Sequence, residues 1–86
     1  MLSLEEIKKL EPAEAIVKLD EYLAENPDSD EALTLRGMRH WSLNHRREAI
    51  NDYLAALRIN PNSNAKMALK YAYSILDFYD KDQWNP

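Results

Sequence analysis

Cysteine is missing from the 86 residues, which excludes a disulfide frame, thiolate catalysis and the thiolate sets that hold most structural zinc. Glycine occurs once, at position 37, so no glycine-rich loop is present to cradle a phosphate. Long apolar runs are also missing, and none approaches the length needed to span a membrane. The opening Met-Leu-Ser-Leu-Glu-Glu has neither the basic start nor the apolar stretch of a signal peptide, so the expected place is the cytoplasm. Basic charge is scarce overall: the net charge is −4 and the isoelectric point about 5.1, which argues against a nucleic-acid partner.

What the chain does have is helical periodicity, clearest from Asp30 to Pro61. Apolar residues recur there at helical spacing, with Ala32, Leu35 and Leu43 near Trp41 in the first half. Ala49, Ile50, Tyr53, Leu54, Ala56 and Leu57 follow in the second. Leu43-Asn44-His45-Arg46 lies between the halves and is long enough only for a turn. Asn44 there tolerates a left-handed backbone. The stretch 30–59 is therefore expected to be an antiparallel helical hairpin.

A shift of 34 residues, the spacing from Pro27 to Pro61, lays the chain on itself. Glu14, Ala15 and Ile16 fall on Glu48, Ala49 and Ile50; Leu23 falls on Leu57; Asn26-Pro27 falls on Asn60-Pro61; Ser29 falls on Ser63. Each Asn-Pro ends a helix, because proline lacks an amide donor and disfavours helical geometry in the residue before it. Ser29 and Ser63, or Asp30 and Asn64, are placed to cap the helices that follow.

The remaining segments read as partial copies of the same hairpin. Residues 3–10 form a truncated first helix, with Ser3 and Glu6 as a capping box and Leu4, Ile7 and Leu10 on one face. Pro12 suits the first position of a second helix over 12–25, with Ala15, Ile16, Leu19, Tyr22 and Leu23 inward. Residues 64–79 are apolar almost all round and read as a C-terminal capping helix, followed by a tail over 80–86. Trp84 of that tail, or another copy of the chain, is the expected cover.

The residues of the central hairpin resemble a tetratricopeptide repeat. Its signature slots are filled by Leu33, Arg36-Gly37, His40, Ala49, Tyr53, Ala56 and Pro61, with Arg36 in place of the family's Leu and His40 in place of its Tyr. Gly37, Ala49 and Ala56 have a packing reason, since small residues let two helix backbones approach. The closing FYDKDQWNP is similar to the ends of short tetratricopeptide proteins of the Bacteroidetes type. The resemblance implies an all-α, antiparallel helix-turn-helix solenoid of five helices, about two and a half repeats in a single domain. It also implies a concave groove that receives a peptide or a helix. Carried over by position, that groove includes Thr34, Met38, Trp41, Ala68, Ala72 and Ile75.

Chemistry-bearing residues are sparse. His40 and His45 are the only histidines, and five residues apart they do not share a helix face as an i, i+4 metal pair does. Asp77, Asp80 and Asp82 lack the glycine bend and closing glutamate of a calcium loop. Ser42 lies close to His40 without an oxyanion loop, so no enzyme, cofactor or metal is expected. The run from Arg36 to Arg47 interleaves arginines and histidines with Trp41, a pattern able to stack a base, but the acidic remainder opposes it.

Charge is unevenly distributed. Residues 1–35 carry a net −7, residues 36–59 a net +3, and the rest balances. That separation suits steering of a polypeptide partner or of a second copy. A non-enzymatic protein-binding module is the first expectation, and self-assembly through the apolar C-terminal helix the second.

Overall fold

The computed structural model describes the backbone of residues 2–84 and the side chains of residues 2–76. Every regular element among the described residues is helical: α1 Leu4–Ile7, α2 Pro12–Glu25, α3 Asp30–Ser42, α4 Arg46–Ile59 and α5 Ala65–Trp84.

Local chemistry sets these limits. At α1 the Ser3 amide donates to Glu6 Oε1 at 2.9 Å and the Glu6 amide donates to Ser3 Oγ at 3.2 Å, the reciprocal pair expected of a capping box. The helix stops at Ile7, short of the expected residue 10. Lys9 and Leu10 donate to carbonyls three residues back, because the chain must reach the extended backbone of Glu11 that precedes Pro12. Helix α2 has the expected limits, with Pro12 in its first turn.

The repeated Asn-Pro steps fold alike. Asn26 and Asn60 each donate a backbone N–H to the carbonyl four residues back, and Ser29 and Ser63 then donate to the carbonyls of Asn26 and Asn60. Ser29 Oγ caps α3 by accepting from the Ala32 amide, while Ser63 Oγ accepts from the Ala65 amide. The second cap closes one residue sooner, so α5 starts at Ala65 rather than 64. It also runs through 80–84, where a tail was expected, with its backbone helical to Trp84. The Asp77, Asp80, Asp82 and Trp84 side chains, and residues 85–86, lie outside the described set.

The helices pack in chain order: α2 on α3, α3 on α4, and α4 on α5, with α1 against α2 and α3 touching α5. The chain extends over 49 × 27 × 17 Å. Its core is a continuous line of small and medium side chains between successive helices. Ala15 and Ala49, one repeat apart, are both fully buried, and Leu19 and Tyr53 occupy the next equivalent pair. Gly37 lets α3 approach α4 closely, for a Cβ there would lie 2.6 Å from Tyr53 Cε1 and 3.1 Å from the Ala49 carbonyl oxygen. Leu43 and Leu54, expected to be inward from spacing alone, reach solvent.

Polar bonds tie the layers together. Thr34 Oγ1 donates to the Asp30 carbonyl at 2.8 Å, which leaves Ser63 Oγ as donor in the 3.2 Å contact between the two hydroxyls. Asn60 Nδ2 donates to Asp30 Oδ2 at 3.3 Å. Arg36 joins three helices: Nε and Nη2 donate to the two carboxylate oxygens of Asp52 on α4 at 2.9 and 2.8 Å, and Nη1 donates to Asp20 on α2 at 2.7 Å. The paired hydrogen bonds to Asp52 raise the guanidinium pKa further, so Arg36 is charged at every accessible pH.

Candidate functional site

Two adjoining clefts open on the face built by α1, α3 and the start of α5. The first, about 240 Å³, lies between Leu4 and Lys8 on one side and Thr34, Met38 and Ser63 on the other. The second, about 510 Å³, is bounded by Met38 and Trp41 of α3 and by Met67, Ala68 and Tyr71 of α5, with Tyr53 behind. Met38 and Asn64 border both clefts.

Spacing on the two helices produces this surface. Met38 and Trp41 are three apart on α3, and Met67 and Tyr71 four apart on α5, so each pair lies on one helical face. The two faces come together where α3 touches α5. The Trp41 and Tyr71 rings stand edge to face with centroids 6.5 Å apart, and the Arg46 guanidinium lies 4.9 Å from the centre of the Trp41 ring. Met67 is 70% exposed, Tyr71 61% and Met38 39%. Large apolar side chains are thus presented around a partly buried tryptophan, with flexible thioethers at two corners.

The six groove positions fare differently. Met38, Trp41 and Ala68 line the second cleft, and Thr34 lines the first, although its hydroxyl is directed into the fold. Ala72 is 1% exposed and belongs to the core, not to a groove wall. Buried Ala65 answers to buried Ala32 at a spacing of 33, and at that spacing Ala72 answers to Arg39 instead of Met38, which takes it off the groove line and into the core cluster. Ile75 is half-buried and borders neither cleft. Tyr71 and Met67 were not foreseen as lining residues because a spacing of 34 was carried into α5; at 33 they answer to Met38 and Thr34, both of which border a cleft. A ring in that place on the last helix has no later helix among the described residues to cover it.

Signature residues occupy packing positions. Leu33, Gly37, Ala49, Tyr53 and Ala56 are buried, Gly37 of α3 lying against Tyr53 and Ala49 of α4, and exposed Pro61 follows α4. Burial, with a smaller contribution from Asp52, pushes the Tyr53 hydroxyl pKa above its ordinary value.

His40 and His45 do come together, contrary to the expectation from helix spacing. Leu43 ends α3, Asn44 takes the left-handed conformation at φ 64°, and the chain reverses so that the His45 amide donates to the His40 carbonyl at 2.8 Å. Their Nδ1 atoms are 3.1 Å apart.

No group of three or more metal-ligating side chains occurs among the described residues, and no described helix is long and apolar enough to cross a membrane. Comparison with protein-family models, with curated proteins and with solved structures returns no match for the chain.

Proposed function

We propose that the chain is a tetratricopeptide-like array of about two and a half helical repeats that binds a polypeptide segment without catalysing a reaction. The observation that carries this reading is the second cleft, where Met38, Trp41, Met67 and Tyr71 form one apolar surface between two helices of successive repeats. Surfaces of this kind are concentrated where monomers meet partners. The repeat relation between Ala15 and Ala49, the order of helix packing and the extended outline all support a solenoid over a closed bundle.

The occupant is a segment of another protein that presents a bulky apolar side chain to the cleft and polar groups to its rim. Asn64 and Asp30 at the border of the clefts offer hydrogen bonds to such a segment. Thr34, Met38 and Ala68 carry no cation for a terminal carboxylate, and Lys8 at the first cleft is paired with Glu5 at 3.0 Å. Arg36, the basic residue nearest the middle of α3, directs its donors into Asp52 and Asp20. A cytoplasmic location accompanies this reading.

Peptides selected from a random library on the immobilised protein test the proposal. Binding that is lost in Met67→Asp and weakened in Trp41→Ala, and retained in Val17→Asp on exposed α2, supports it. Peptides indifferent to both cleft substitutions refute it.

A second reading is self-assembly, favoured by the same exposure of Met67 and Tyr71 together with half-exposed Tyr73 on α5. Sedimentation separates the two. A dimer dispersed by Met67→Asp assigns the surface to a second copy, and a concentration-independent monomer leaves it to a different protein.

A further inference from the structure

The turn between α3 and α4 carries a feature independent of the clefts. Two hydrogen bonds close it, from the Asn44 amide to the Trp41 carbonyl at 3.0 Å and from the His45 amide to the His40 carbonyl at 2.8 Å. With Asn44 left-handed, this is the Schellman arrangement, in which the side chains of the two residues in the longer bond are brought into contact. In this motif the contact is frequently hydrophobic. Here the two side chains are imidazoles, with ring centroids 5.3 Å apart and Nδ1 atoms facing at 3.1 Å.

The contact is an N–H···N hydrogen bond when one ring carries its hydrogen on Nδ1. With both ring hydrogens on Nε2 that bond is lost, and the same two nitrogens are spaced to converge on one metal ion lying off the line between them. Metal–imidazole bonds are about 2.0–2.1 Å long, so two of them meeting at roughly 90–110° place their nitrogens about 2.8–3.4 Å apart. The observed 3.1 Å lies inside that range. We propose that His40 and His45 form a two-point chelate, through both Nδ1 atoms, for a nitrogen-seeking divalent transition-metal ion, Cu(II) in preference to Ni(II) or Zn(II).

The order follows from the donor set. Two imidazoles with the remaining positions left to water suit the tetragonal geometry of Cu(II), which also stands highest in the general affinity series. A closed zinc site needs four ligands, and no third His, Cys, Asp or Glu joins the pair among the described residues. Arg39, Arg46 and Arg47 flank the turn in sequence and oppose any cation, whereas the carbonyls at the end of α3 favour one. The turn is preorganised by its backbone bonds, so binding requires only that the ring hydrogens reside on Nε2.

Titration of the whole protein with copper(II) in a non-coordinating buffer tests the site, followed by electron paramagnetic resonance and by amide line broadening. One equivalent is expected to bind, with hyperfine structure from two nitrogens and broadening centred on Asn44. His40→Gln and His45→Gln are each expected to weaken binding by at least about tenfold, with helix content unchanged by circular dichroism. Binding that persists in the double variant places the ion elsewhere, for instance at the terminal amine, and overturns the proposal. So does the absence of binding to the wild-type chain, which leaves the contact as a hydrogen bond between the two rings.

Discussion

The Tyr53 ring occupies the space that a Cβ on Gly37 would take, its Cε1 atom 2.6 Å from that point. This contact sets how closely α3 and α4 approach. Gly37→Ala brings two opposed effects: a gain of up to about 1 kcal/mol in helix propensity and an overpacking cost of about 1–3 kcal/mol. The second wins, because the ring is 3% exposed and the Ala49 carbonyl stands 3.1 Å away on the other side. A net loss of about 1–2 kcal/mol is expected in urea unfolding. A stabilised variant contradicts the packing.

Tyr53 also makes stability depend on alkaline pH. Its folded pKa is raised from 10.0, chiefly by burial and secondarily by Asp52. The unfolded chain therefore loses the phenolic proton first. Stability from this group is complete below pH 10 and falls as pH climbs from there through the folded value. Tyr53→Phe is expected to flatten the decline in melting temperature above pH 10, and an unchanged slope would count against the buried hydroxyl.

The two carboxylates on Arg36 are unequal. The Asp52 side chain is 9% exposed and takes both forks of the guanidinium, whereas that of Asp20 is 58% exposed and takes one nitrogen. Asp52→Asn is expected to cost about 1.5–3 kcal/mol, since a largely desolvated cation loses its paired partner. Asp20→Asn is expected to cost less than about 1 kcal/mol. Equal costs in parallel denaturation curves would refute this unequal division, and no cost from either would refute the three-helix tie.

Much of the helical framework was legible because the rules behind it are local. Pro12, the two Asn-Pro steps, Ser3 with Glu6, and the apolar spacing of Ala15, Leu19 and Leu23 each act within a few residues, and α2 has its expected limits. The Arg36 tie was not legible. Asp20, Arg36 and Asp52 lie 16 residues apart in turn, and helical periodicity says nothing of which outward polar residues meet across helices. Ala72 was misplaced by a single residue of cap length, which turns a helix by about 100° and exchanges one face for another. The histidine contact was hidden for a related reason, since it forms across a left-handed turn and not along a helix.

Asn44 offers a test of that turn. A non-glycine residue with φ 64° is strained unless its side chain suits the conformation, and asparagine and glycine do. Asn44→Ala is expected to lower stability by about 1 kcal/mol and Asn44→Gly to leave it nearly unchanged. A tolerated alanine would mean that the hairpin closes in another way.

The most direct test of the binding account is a methyl-labelled spectrum of the protein with a selected peptide. The Met38 and Met67 methyl signals and the Trp41 indole signal are expected to move together and saturably, while the exposed Val17 methyls of α2 stay in place. Saturable shifts confined to Val17 and its neighbours, with Met38, Met67 and Trp41 undisturbed, would contradict it.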